Sequence, residues 1–166
     1  MNADTTVLYL DFDGVLHPFG TPVIDELGKW QLKSPGVLCW LPLLEYALRP
    51  YPDMRIVVSS SWRFFHVDAE LRSILGPLSD RFAGITTSDH EVGCRLDEIL
   101  THAEAFGLVH FLALDDDASV RTHEREEGDR RFMWCSPETG IGKQGFLIRL
   151  HERLRELHAR LAPGAV

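Results

Sequence analysis

The run Val7-Leu8-Tyr9-Leu10-Asp11-Phe12-Asp13-Gly14-Val15-Leu16 constrains this chain more than any other stretch. Four consecutive apolar residues read as a strand buried on both faces, as in a parallel sheet. The strand ends in two carboxylates one residue apart, followed at once by a glycine. Like charges that close resist joint ionisation, so something positive is expected beside them. A divalent cation with oxygen ligands is the simplest candidate. The plainer alternative is a turn in which Asp13-Gly14 supplies only turn chemistry.

The rest of the chain repeats the pattern of an apolar run followed by a helical one. Ser34-Pro35 opens a segment with Leu38, Leu41, Leu44, Ala47 and Leu48 at helical spacing. Pro42 inside it predicts a kink or a later start. Arg55–Val58 reads as a second strand running into Ser59-Ser60-Ser61. Asp68 is placed to cap a short helix that Gly76-Pro77 stops. Phe82–Ile85 reads as a third strand, and Arg95–Phe106 as a helix with Leu96, Ile99, Leu100 and Ala103 on one face. Val109–Leu114 is a fourth strand, running into Asp115-Asp116-Asp117, with Asp117 capping the loop after it. Residues 121–131 are charged and read as a solvated loop or helix. Phe132–Cys135 is a fifth strand. Leu147, Leu150, Leu154, Leu157 and Leu161 make one buried face of a last helix, with His151 and His158 toward solvent.

Strands alternating with helices imply a mostly parallel sheet covered on both faces, an α/β Rossmann-like three-layer sandwich. In such sheets the ligand site lies beyond the carboxyl ends of the strands. Three strands carry polar clusters there: Asp11/Asp13, Ser59–Ser61 and Asp115–Asp117.

A length of 166 residues suits one domain, 1–166. The formal net charge of −8 argues against a general nucleic-acid-coating surface and against an anionic-membrane binder, without excluding a local basic pocket. No apolar run approaches membrane-spanning length, and the polar opening Met-Asn-Ala-Asp-Thr-Thr is no signal peptide. Cys39, Cys94 and Cys135 are odd in number and show no metal-ligand spacing, which fits buried or half-buried thiols in a reducing cytoplasm.

Two carboxylate clusters at neighbouring strand ends form a hard-oxygen pocket suited to Mg²⁺ and substrate phosphate oxygens. A carboxylate there can attack phosphorus, and a second acid can protonate the leaving alkoxide. A hydroxyl and a cation can hold the transferring phosphoryl oxygens.

At this point the residues resemble a family. Asp11-x-Asp13-Gly14-Val15-Leu16 resembles the first motif of the haloacid-dehalogenase-like (HAD) superfamily. The strand ending in Ser60 resembles the second, and Asp115-Asp116 the fourth. Leu-Asp-Phe-Asp-Gly-Val-Leu-His, Ser-Ser-Ser-Trp-Arg, Arg95-x-x-Glu98-Ile99 and Asp-Asp-Asp together look most like the small HAD domains of Swiss Army Knife RNA repair proteins. The resemblance implies Asp11 as nucleophile and Asp13 as acid/base. It also implies Mg²⁺ held by Asp11, the Asp13 backbone carbonyl and Asp115 or Asp116, with Asp116 favoured as the direct ligand.

One departure matters. The third motif usually carries a lysine, and Lys29, Lys33 and Lys143 all lie outside the interval from Ser60 to Asp115. Arg95 stands where that lysine should be and is taken as its substitute, against the alternative of an ordinary helix-start ion pair. Arg63 is a second phosphate candidate, against a plain surface arginine. Ser60 is favoured by family pattern, with Ser61, Gly14 and His17 as further substrate contacts. His17 is equally a structural hydrogen-bonder, and Trp62 reads as packing rather than a base platform. The resemblance also implies a flap or minimal cap at residues 18–35, which would leave an open site for a bulky substrate such as a polynucleotide end. The expected activity is a Mg²⁺-dependent phosphomonoesterase on a phosphorylated small molecule or nucleic-acid end. The alternative is a catalytically idle module that binds a phosphorylated ligand or partner.

Overall fold

The computed structural model describes residues 5–20, 22–24, 30–32, 36–87 and 94–159. The chain begins with β1 (Val7–Leu10), then a separate antiparallel pair, β2 (Pro22–Ile24) and β3 (Trp30–Leu32). There follow α1 (Leu41–Leu48), β4 (Arg55–Val58), α2 (Asp68–Ile74), β5 (Phe82–Ile85) and α3 (Arg95–Ala105). β6 (Phe111–Asp115), α4 (Ala118–Glu126), β7 (Phe132–Trp134) and α5 (Phe146–Ala159) complete it.

Five strands form one parallel sheet in the order β5-β4-β1-β6-β7. β1 is central, and all four of its residues are fully buried, as its unbroken apolar run requires. Side-chain alternation splits the core in two. Leu8, Leu10, Ile56, Val58, Leu112 and Leu114 face one way and pack with α1, α2 and α5. Val7, Tyr9, Val57, Phe111 and Ala113 face the other way, toward Ile99 and Ala103 of α3 and Val120 of α4. The architecture is the α/β/α sandwich that the strand–helix alternation implies.

Some boundaries differ from the sequence reading. α1 starts at Leu41 rather than near Ser34, because Pro42 falls in its first turn, where a missing N–H costs nothing. Ser34 and Pro35 lie outside the described residues. Asp68 is the first helical residue and Val67 precedes it as cap. The fourth predicted strand begins two residues late, at Phe111, and Val109 is exposed. The charged 121–131 stretch is partly helix α4, capped by Asp117, whose carboxylate accepts from the Ser119 amide at 2.8 Å. His151 and His158 are half-buried rather than solvated, against Tyr46 and Tyr51. Cys39 is exposed, and all three thiols are free. No helix among the described residues is long and apolar enough to cross a membrane.

Candidate active site

The strand register converges the polar clusters. Leu10 is level with Val58 on one side and Leu114 on the other. One residue further, the ladder continues through Asp11 N–H to Leu114 O (3.1 Å) and Ser59 N–H to Leu10 O (3.0 Å). Asp11, Ser59 and Asp115 therefore share one row at the carboxyl edge of the sheet. From β1 the chain builds outward through β4 and β5, then returns to place β6 on the other side. This reversal of strand order is where open α/β sheets leave a crevice.

Asp11, Asp115 and Asp116 each offer an oxygen, and these oxygens lie within 4.8 Å of one another. Asp11 and Asp115 are almost wholly buried. Burial pushes the Asp11 carboxyl above its usual range, while Arg95 and a hydrogen bond from Ser60 pull it back. Asp115 is raised well above that range by burial and by Asp11, against the pull of Arg95. Asp116 is pushed up to about 7 by burial, then by Asp11, Asp117 and Asp13. Crowded carboxylates with one adjacent arginine are a donor set that fits a hard divalent cation. Gly14 makes the approach possible: at φ +68° it carries no Cβ, and any Cβ there would collide with the Asp116 carboxylate.

The raised Asp116 carries a consequence for stability. Between the ordinary carboxyl value of 3.8 and about 7, the metal-free folded protein keeps a proton that the unfolded chain has released. Asp116 therefore costs stability progressively as pH rises through that window, and no further above it. Urea midpoints in chelator at about pH 5 and about pH 8 should show Asp116→Asn gaining on wild type at the higher pH. A difference between the two proteins that is the same at both pH values would contradict the shift.

Behind the carboxylates lies a chain of buried ion pairs. Arg95 Nε faces Asp115 Oδ2 at 3.2 Å, and its terminal nitrogen donates to Glu98 at 3.0 Å. Burial lowers the Arg95 pKa, but Asp115, Asp11 and Glu98 outweigh it, so the side chain is held charged. Glu98 also accepts from Thr86 at 2.8 Å and from Arg63. Sequence alone leaves Arg63 as a phosphate contact or a surface residue. In the structure it is buried and committed, donating to Ser59 O (2.6 Å) and Ser60 O (2.7 Å) as well as to Glu98. It braces the serine turn from below. Arg63→Ala should cost about 3 kcal/mol in chemical unfolding, the scale of breaking a buried ion pair. Arg63→Lys should recover little, because a point charge cannot reach three acceptors. An unchanged unfolding midpoint for Arg63→Ala would remove the bracing role.

Asp13 is half-buried and separate from the three clustered carboxylates. Two side chains hold its carboxyl group. His17 Nε2 lies 3.0 Å from Oδ1, and the Trp62 indole N–H donates to Oδ2 at 2.8 Å. His17 is fully buried, so it supports Asp13 from beneath instead of reaching the pocket mouth. Ser60 is buried beside Asp11, and its Oγ accepts from the Trp62 amide. Ser61 is exposed. The loop carrying Gly14 is tied down by Ile141 N–H to Val15 O (3.1 Å) and Trp40 N–H to Leu16 O (2.9 Å).

Trp62 and Glu98 have roles that sequence reasoning misses. Trp62, expected only to pack, carries the N–H that orients Asp13. Glu98 sits one turn after Arg95, and a carboxylate three residues from an arginine beside a buried helix face is the available signal.

A parallel α/β sheet with an acidic cluster at its reversal point, one Asp-x-Asp-Gly turn and a serine turn defines a HAD-type hydrolase domain. The chain matches the family described as HAD domain in Swiss Army Knife RNA repair proteins over residues 7–146, and it belongs to that family. No curated protein and no solved structure matches it.

Proposed function

We propose that this domain is a Mg²⁺-dependent phosphomonoesterase acting through an aspartyl-phosphate, on a nucleotide or polynucleotide end. The observation that carries this reading is the grouping of Asp11 with Asp115 and Asp116, with a separately held Asp13 two residues along. Asp11, Asp115 and Asp116, with the Asp13 backbone carbonyl that the family resemblance implies, would hold Mg²⁺, and the ion would offset phosphate charge.

An Asp11 carboxylate oxygen attacks phosphorus, and the bond from phosphorus to the leaving oxygen breaks. Asp13 gives its proton to that oxygen, then takes one from the water that opens the acyl phosphate. The carboxyl oxygens of Asp13 are fixed by His17 and Trp62, so its proton is delivered from one orientation. Arg95 sets a fixed charge against Asp11 and Asp115, lowering repulsion between an anionic nucleophile and an anionic substrate. The Ser60 hydroxyl, now bonded to Asp11, is placed to turn to a phosphoryl oxygen.

The rival reading is an idle binding module, favoured by the absent lysine and by the prior engagement of Arg95 with Glu98. Phosphate release from an aryl phosphate, with Mg²⁺ and then with chelator, decides between them. Release that needs the metal is expected. No release with either Mg²⁺ or Mn²⁺ leaves the binding module. Free thiols in all three positions fit a reducing compartment such as the cytoplasm.

A further inference from the structure

Beside Asp13 opens a cleft of about 450 Å³, lined by Asp13, Ser61, Phe19, Trp62, Phe65 and His66. Its walls are unusual for a surface. Phe65 is 82% exposed and Phe19 64%, although large apolar side chains normally bury. Trp62 cannot swing freely, because its N–H is bound to Asp13 and its ring lies tilted against His66, centroids 5.6 Å apart. Phe19 is anchored through its backbone N–H to Pro137 O at 2.7 Å. The result is a built aromatic recess that opens on the group assigned to protonate the leaving oxygen.

That position decides what enters. A leaving group must extend from phosphorus on the side of the acid that protonates it, so its body lies in this cleft. Among the described residues that line it there is no lysine or arginine, so they offer a second phosphate no fixed cation. Flat aromatic walls with a hydroxyl and an imidazole at their edges suit a planar, uncharged group with its own donors and acceptors. We propose that the cleft is a stacking subsite for the nucleobase of the leaving group. The substrate class is then a nucleoside phosphate at a chain end or free, rather than a sugar or polyol phosphate. This rests on the phosphomonoesterase reading for the direction in which the leaving group points.

Binding and turnover, measured apart, separate the two. Calorimetry on the Asp11→Asn protein with Mg²⁺ would compare 5′-AMP, 3′-AMP, ribose 5-phosphate and O-phosphotyrosine. One of the two nucleotides should bind about tenfold more tightly than ribose 5-phosphate, the scale of one base stacked on an aromatic face. That margin should fall to about threefold or less when Phe65→Ala or Phe19→Ala is added. Both side chains stand in solvent, so their removal leaves the core intact. Equal binding of nucleotide and ribose 5-phosphate, or no binding of either, overturns the subsite. Tighter binding of phosphotyrosine than of both nucleotides also overturns it and gives the cleft to a phosphoprotein side chain. Phosphate release by the wild type is scored separately. Base-dependent binding without release from any of these compounds retires the phosphatase reading and keeps the cleft. Release without base preference does the reverse.

Discussion

Asp11→Asn should abolish phosphate release, by about 10³-fold or more, while the protein stays folded. The substitution keeps shape and removes the nucleophile, since an amide oxygen does not form the acyl phosphate. A 10³-fold loss is about 4 kcal/mol of barrier. The environment adds a second, opposite effect. Burial raises the Asp11 carboxyl, and Asp115 is raised in part by Asp11 itself. A neutral residue there relieves that cost, so metal-free Asp11→Asn should gain in melting temperature over wild type as pH rises above the ordinary carboxyl range. Dead and more stable is the expected pair of results. Residual turnover within about tenfold of wild type would contradict the nucleophile assignment, because tenfold is only about 1.4 kcal/mol. Beryllofluoride should be trapped against Asp11 and not against Asp13.

Arg95→Ala should lower kcat by about 10²-fold or more, comparable to losing one preorganised donor. Arg95 is the cation in direct contact with Asp115, and it draws down both Asp11 and Asp115. Without it, the buried carboxylates and an incoming phosphate lose the cation that contacts Asp115 directly. Arg95→Lys should restore part of the loss, since the charge returns but one ammonium cannot span both Asp115 and Glu98. Circular dichroism on the same samples separates this from unfolding, as Glu98 keeps Arg63 and Thr86 when Arg95 is gone. Normal turnover in Arg95→Ala alongside a folded but dead Arg63→Ala would move the charge-offsetting role to Arg63.

Much of the frame was legible because buried parallel strands announce themselves. Val7–Leu10 and Arg55–Val58 are the observed strands residue for residue, and polar clusters at strand ends mark the functional edge. The helical stretches of α3 and α5 show equally well, through apolar residues at 3.6-residue spacing. Less was legible in the 36–40 turn, where a leucine spacing that runs on past Pro42 suggested more helix than forms. The same applied to Arg63, whose charge argued for the surface while three acceptors brought it inside.

The sequence by itself determined the sheet class, the motif order and the carboxylates that bear the chemistry. These follow from local periodicity and from residue types whose desolvation needs compensation. Tertiary structure alone decided which groups serve each carboxylate. His17 and Asp13, and Arg95 and Glu98, are neighbours along the chain, but Trp62 reaches Asp13, and Arg63 and Thr86 reach Glu98, across sequence separations that no local pattern encodes. Their pairing is a product of strand register, because a hydrogen bond or ion pair depends on placement within a few tenths of an ångström. Such placement exists only once β1, β4 and β6 are aligned edge to edge.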